Sequence, residues 1–188
     1  CPHNLSQVLG TYHRAGTREA EMAVDAANEA KLAWSEIDWS SRATVLLKAA
    51  ELLSGKYRQV LNAATMLCMS KTCHQAEIDS ACELIDFWRF NPYFMTQIYD
   101  DQPISTHGVL NYMEHRPLEG FVFAVTPFNF TSIGGNLPTA PALMGIAVVW
   151  KPSSDAVLPA YYIMKILEEA GMPAGVINMN TWPGPFVA

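Results

Sequence analysis

Two short, uninterrupted apolar runs, Phe121-Val122-Phe123-Ala124-Val125 and Ile146-Ala147-Val148-Val149-Trp150, constrain this chain more than any other feature. A strand with one wet face alternates apolar and polar residues. A run of five apolar residues must be covered on both faces, as in a parallel sheet. Between the runs lie a loop, Thr126 to Asn136, and a helix predicted to extend to Met144. Lys151-Pro152-Ser153-Ser154-Asp155 then turns the chain into a helix predicted over 156–170 and stopped by Gly171, and Gly175-Val176-Ile177-Asn178-Met179 supplies a third strand. Strand, helix, strand, helix, strand with short connections is a βαβαβ unit, so the expected fold class is α/β with helices on a parallel sheet. Three strands leave a buried edge without a partner, and the sheet therefore reads as incomplete.

The first hundred residues read as helices. Thr17 is the predicted N-cap of the first, with Glu19 and Glu21 in its positive first turn. Met22, Ala23, Ala26, Ala27, Ala30 and Ala33 follow at helical spacing up to Trp34. A second helix is predicted from Ser40 or Ser41, with Val45, Leu46, Ala49, Ala50 and Leu53 inward, to Gly55 as a left-handed stop. A third covers Tyr57 to Met69, and a fourth begins after Lys71-Thr72 and is expected to end or kink at Pro92. The predicted organisation is a helical part over 1–100, a linker and loosely alternating strand segment over 101–118, and the first part of the sheet domain over 119–188.

The net charge is −6 and the 12 basic residues form no block, which argues against nucleic acid and anionic membrane as partners. The longest apolar stretch, Leu143 to Trp150, is too short to span a bilayer, and residues 1–30 lack the apolar core of a secretory signal. Cys1, Cys68, Cys73 and Cys82 show no metal-ligand spacing and read as reduced, mostly buried thiols in a reducing compartment, with no metal site. The five histidines show no metal-binding spacing either.

In an open parallel sheet, ligands bind outside the carboxyl ends of the strands. Two turns occupy that edge, Thr126-Pro127-Phe128-Asn129-Phe130 and Lys151-Pro152-Ser153-Ser154. Asn129 can donate an N–H to a developing oxyanion or simply tie down its turn. Lys151 can reach a ribose hydroxyl or phosphate, or be a solvated charge at a strand end. Gly134-Gly135 is weak evidence for phosphate binding, and no G-x-G-x-x-G or Walker motif is present. Asp79, Glu83 and Asp86 fall on one helix face, where a carboxylate could receive a cationic group or form a solvated acidic stripe.

These turns resemble the aldehyde dehydrogenase superfamily. Thr126-Pro127-Phe128-Asn129-Phe130, Pro141-Ala142-Leu143 and Val148-Val149-Trp150-Lys151-Pro152-Ser153 match its P-W/F-N-F/Y, P-A-L and V-x-K-P-S/A motifs in order and spacing. Glu169-Ala170-Gly171-Met172-Pro173 with Gly175-Val176-Ile177-Asn178 continues the match. Gln75-Ala76-Glu77-Ile78-Asp79, Glu83-Leu84-Ile85-Asp86-Phe87, Gln102-Pro103-Ile104-Ser105 and Ile133-Gly134-Gly135-Asn136 are similar to the branch that oxidises glutamate semialdehyde. The resemblance implies a Rossmann-like domain, NAD as cofactor and a small-molecule aldehyde substrate. It also implies a homo-oligomer at full length, with the 101–118 segment directed toward the oligomerisation region. The compartment it implies is the mitochondrial matrix in a eukaryote or the cytoplasm in a bacterium.

Residue by residue, it implies that Asn129 is the oxyanion-hole amide and that Thr126, Pro127 and Phe128 line the nicotinamide side of the groove. Lys151 and Ser154 would contact the adenosine ribose and Gly184 the adenine. Phe130 would wall the substrate's aliphatic chain, and Glu83 would lie near its amino group. Ser154 stands where many members carry Glu, so NAD against a 2′-phosphorylated cofactor stays open at this point. None of the four cysteines lies in the family's G-Q-x-C setting. The nucleophile, the general base, the F-T-G-S turn and the catalytic domain are expected beyond Ala188, so the chain alone is expected to be inactive. The alternatives are a truncated product that binds nucleotide or pairs with full-length subunits, or an aldehyde dehydrogenase for another acyl chain.

Overall fold

The computed structural model describes residues 1–184; positions 185–188, the last four of the 119–188 unit, lie outside the described residues. Strands β1 (Phe121–Val125), β2 (Ala147–Lys151) and β3 (Ile177–Met179) pair in parallel in that order. Phe121 is opposite Ala147 and Val125 opposite Lys151, while Val148 faces Ile177. The apolar runs thus become strands, with β2 displaced by one residue and β3 shortened to three.

All five residues of β2 are buried, and their alternation explains why. Val148 and Trp150 join a core with helices α2 (Trp39–Ser54), α5 (Glu83–Asp100), α6 (Thr131–Leu143) and α7 (Val157–Ala170). Ala147 and Val149 point the other way, into a smaller cluster with Ala23 and Ala27 of α1 (Thr17–Glu36) and with Trp182. The sheet is therefore covered on both faces along its central strand, as the continuous apolar run requires. The small residues of α1 allow close approach to the sheet end. Gly175, at φ +84°, leads into β3, and a Cβ there would stand 2.9 Å from Ala26 O and 2.8 Å from Ala30 Cβ.

Several helix boundaries differ from those read from the sequence. Gly16, not Thr17, caps α1, its N–H donating to Glu19 Oε2 at 2.7 Å. Met22 and Ala33 are exposed, whereas Ala23, Ala27 and Trp34 are buried. Asp38 caps α2. Gly55, at φ −113°, closes α2 without a left-handed residue; that conformation appears at Ser70, after α3 (Arg58–Met69). Pro92 does not end its helix, because α5 runs on to Asp100. Trp88, Pro92 and Met95 form one buried face there, and burying such side chains, at about 1.5–3 kcal/mol for each large one, offsets the missing amide bond.

The loop expected to reach Asn136 is already helical from Thr131. Gly134-Gly135 consequently lies within α6 and serves helix packing, since a Cβ on Gly135 would stand 2.7 Å from the Leu84 methyls. The carboxyl end of α6 exposes carbonyls with no helical partner. Trp34 Nε1 donates to Ala142 O at 2.7 Å and Arg42 Nε to Leu143 O at 3.0 Å, both buried.

The alternation in Val109–His115 does not become a strand. Its segment is an exposed arm with one bridge, Thr106 to Val109, closed by side chains such as Gln102 Oε1, which accepts from Met113 N at 2.7 Å. All four cysteines are free, and none is fully buried; Cys73 is exposed at a helix start. Among the described residues, no helix is long and apolar enough to cross a membrane.

The close approach of α1 to the turn before β3 sets a test. Gly175→Ala combines a left-handed alanine with a backbone clash and is expected to destabilise by about 2–4 kcal/mol, read as a lower denaturant midpoint. Gly10→Ala meets open space and should leave the midpoint within error. An unchanged midpoint for Gly175→Ala would contradict the packing described.

Candidate functional site

The carboxyl ends of β1 and β2 are joined before they reach the surface. Thr126 N donates to Lys151 O at 3.1 Å, and Trp150 Nε1 donates to Thr126 Oγ1 at 2.9 Å. Trp150 is fully buried and Thr126 is 5% exposed. A bulky core residue therefore fixes the hydroxyl that starts the Thr126–Phe130 turn. Pro127, Phe130, Thr131 and Pro152 crowd the same small depression with Trp150. Beyond Pro127 the turn opens outward: Phe128 is 63% exposed and Asn129 is exposed.

Lys151 departs from the solvated strand-end charge weighed from the sequence. It is 7% exposed, and its Nζ donates to Pro152 O at 3.3 Å. An ammonium has three donors, and this is its one hydrogen bond among the described residues. A buried cation with spare donors at the sheet's ligand edge suits the hydroxyls of a ribose. Ser154, exposed at the start of the short 3-10 turn Ser154–Ala156, opens instead onto a groove of about 860 Å³. Residues 1–13, α7 and Met179 enclose that groove. Gly184 is exposed, with nothing among the described residues within 4 Å of where a Cβ would stand.

The second half of the site comes from the long helix before the sheet. That helix starts as α4 (Cys73–Ala76), capped by Thr72 with Gln75, and passes through a π-helical segment, Glu77–Cys82, into α5. Such insertions recur at functional sites because they re-aim the side chains that follow. Here the segment breaks the regular spacing of the acidic stripe read from the sequence. Asp86 is exposed, Glu83 is half-buried and Asp79 is only 5% exposed. Glu83 Oε2 accepts from Ser132 Oγ at 2.6 Å, so the first turn of α6 orients this carboxylate two residues past Phe130.

Sequence reasoning missed the partner of Asp79. Lys71 Nζ donates to Asp79 Oδ2 and to the backbone carbonyl of Asn129, and lies 4.3 Å from the centre of the Phe130 ring. Burial pushes the Lys71 ammonium below the usual lysine range, and the Glu83 carboxylate opposes that shift. Lysine followed eight residues later by aspartate was the available signal, but the pair forms across the loop before α4, where no local spacing rule reports it. Burial likewise pushes the thiols of Cys68 and Cys82 up, so neither is a ready thiolate. No group of three or more metal-ligating side chains occurs among the described residues.

Thr126, Pro127, Phe130, Lys71, Asp79, Ser132 and Glu83 thus surround one turn, while Ser154 opens onto the neighbouring groove. Among the described residues, Gly184 forms no hydrogen bond with any of these. The turn combines an exposed amide on a fixed backbone, a carboxylate held on the first turn of α6 and, at the end of β2, a buried lysine.

Residues 1–187 match the family model described as aldehyde dehydrogenase family. A probable delta-1-pyrroline-5-carboxylate dehydrogenase of Schizosaccharomyces pombe is 50% identical over 95% of this chain and 33% of its own length. The mitochondrial delta-1-pyrroline-5-carboxylate dehydrogenase of Mus musculus is 46% identical over 98% of this chain and 33% of its own length. The chain thus spans about a third of the length of the curated relatives it matches. Among solved structures, the Mycobacterium tuberculosis delta-pyrroline-5-carboxylate dehydrogenase bound with NAD superposes with a TM-score of 0.96. It is 55% identical, over 99% of this chain and 35% of that one. On the match along nearly its whole length and on this shared architecture, the chain belongs to the aldehyde dehydrogenase family.

Proposed function

We propose that this chain supplies the oxyanion donor, one wall of the substrate pocket and half of the cofactor groove of an NAD-dependent enzyme. That enzyme oxidises L-glutamate 5-semialdehyde, the open form of 1-pyrroline-5-carboxylate, to L-glutamate in proline degradation. The observation that carries the reading is Glu83, a half-buried carboxylate held by Ser132 beside the Asn129 turn. A substrate with an amino group at the far end of its chain needs such a partner, and a simple aliphatic aldehyde does not. Relatives that share this segment at 46–50% identity are named for that substrate.

The residues present fit NAD, which when bound supplies the hydride acceptor. Lys151 would donate to the ribose, Ser154 would offer a neutral hydroxyl from the neighbouring groove, and Gly184 would leave space for the adenine. Thr126, Pro127 and Phe128 form the nicotinamide wall. The side-chain N–H of Asn129 donates to the oxygen of the aldehyde as charge develops on it. Phe130 excludes water from the aliphatic chain, and Glu83 pairs with the ammonium. The thiolate nucleophile and the general base belong to the remainder of the complete enzyme, so the 188 residues alone are expected to form no NADH.

The exposed arm 101–118 presents Ile104, Leu110, Tyr112 and Leu118, each more than 60% exposed, and we infer that it packs against another subunit of a homo-oligomer. Relatives named mitochondrial, from Dictyostelium discoideum, Mus musculus and Homo sapiens, support a matrix location for a eukaryotic source. A bacterial source would imply the cytoplasm.

Steady-state kinetics of the complete enzyme test this function. Glutamate semialdehyde should be turned over well ahead of succinate semialdehyde, and Glu83→Gln should raise KM for the former while sparing the latter. Equal handling of both aldehydes by the wild type would sink the substrate assignment. Asn129→Ala should lower kcat about 10²–10³-fold if its amide meets the oxyanion. Lys151→Ala should abolish the heat of NAD binding in calorimetric titration; undiminished heat would remove Lys151 from the groove.

A further inference from the structure

Lys71 sits in the three-residue connection between α3 and α4, yet its side chain is only 15% exposed and that of its partner Asp79 only 6%. A buried ion pair is a costly way to stabilise a fold, because an apolar pair of similar volume often serves as well. What this pair adds is direction. Asp79 holds the ammonium from the helix, and its other oxygen, Oδ1, is buried with no hydrogen-bond partner among the described residues. The remaining contacts of Lys71 go to one place. The Asn129 carbonyl accepts from Nζ, and the Phe130 ring lies 4.3 Å away as a cation–π partner. One residue further, Thr131 Oγ1 is bonded to Thr65 Oγ1 at 2.7 Å, which secures the turn's exit to α3. The peptide that carries the exposed Asn129 side chain is thus gripped from beneath, while the side chain itself stays outside.

We propose that Lys71, braced by Asp79, is a positioning residue that fixes the Asn129 peptide and the Phe130 ring for the reaction. The proposal rests on the reading of Asn129 as the oxyanion donor. It assigns no contact between Lys71 and substrate: the lysine acts through the backbone it holds. Misplacing a catalytic amide by about 1 Å can cost on the order of 100-fold in rate, so the effect should fall on chemistry and not on cofactor binding.

The test is a cycle of variants in the complete enzyme, read as the single-turnover rate of NADH formation, NAD affinity and thermal midpoint. Lys71→Met should slow the single turnover by roughly 10–100-fold with NAD affinity unchanged, and Lys71→Arg should recover part of the rate. Because Lys71→Met strands a buried carboxylate, it is paired with Lys71→Met/Asp79→Leu, which should restore the thermal midpoint but not the rate. In an Asn129→Ala background, Lys71→Met should cost less than about threefold, since the amide it positions is gone. Recovery of rate together with stability in the apolar pair would overturn the proposal, as would a full, independent loss in the Asn129→Ala background. An impaired Asn129→Ala beside a wild-type Lys71→Met would also overturn it, alone. An unimpaired Asn129→Ala would overturn the oxyanion reading and this proposal with it.

Discussion

The indole of Trp150 is the point on which the site depends. It is fully buried in the main core, and its N–H donates to the hydroxyl of Thr126. That bond, with the one from Thr126 N to Lys151 O, ties the ends of two parallel strands into a single platform. The platform can be rigid because β2 is covered on both sides: α1 and Trp182 cover one face, and α2, α5, α6 and α7 the other. Packing density in such a core resists displacement of even one large side chain. The turn after β1 therefore starts from a fixed place, and the residues beyond Pro127 can remain exposed without losing their position.

Two different physical devices serve the two halves of the site. At the end of β2, Lys151 is buried with one hydrogen bond among the described residues, which leaves donors free for a ligand's hydroxyls. Around the turn after β1, an irregular helix supplies charged groups. The π-helical segment Glu77–Cys82 turns Asp79 inward to meet Lys71 and leaves Glu83 against Ser132 on the first turn of α6. Gly135 lets α5 and α6 approach closely enough for that contact, since any side chain there would collide with Leu84. Trp88 Nε1 donating to Thr139 Oγ1 at 3.0 Å fastens the same two helices further along.

The strands were legible in the sequence because five consecutive apolar residues have few ways to be buried. The turns after them followed, and with them Thr126, Asn129 and Lys151. Other features depend on contacts that no local pattern encodes. Pro92 reads as a helix stop, but a buried face on α5 carries the helix eight residues past it to Asp100. Gly134-Gly135 reads as a phosphate turn or a loop, while tertiary packing makes it a helix contact. Asp79 reads as one member of a solvated stripe under ideal helical spacing, but it lies buried in the π-helical segment and paired with Lys71 from the preceding loop. The burial of Lys151 was equally invisible, since residue type at a strand end does not report how deeply the chain around it covers the amine.

We propose that the turn after β1 and the carboxylate of α5 face one ligand while Lys151 faces its cofactor. The most direct measurement is a crystal structure of the complete enzyme with NAD and the product L-glutamate bound together. In that arrangement the glutamate ammonium lies within about 3 Å of the Glu83 carboxylate, its side-chain carboxylate at the Asn129 amide, and the NAD ribose at Lys151. An ammonium bound away from Glu83, or a ribose bound away from Lys151, would contradict it.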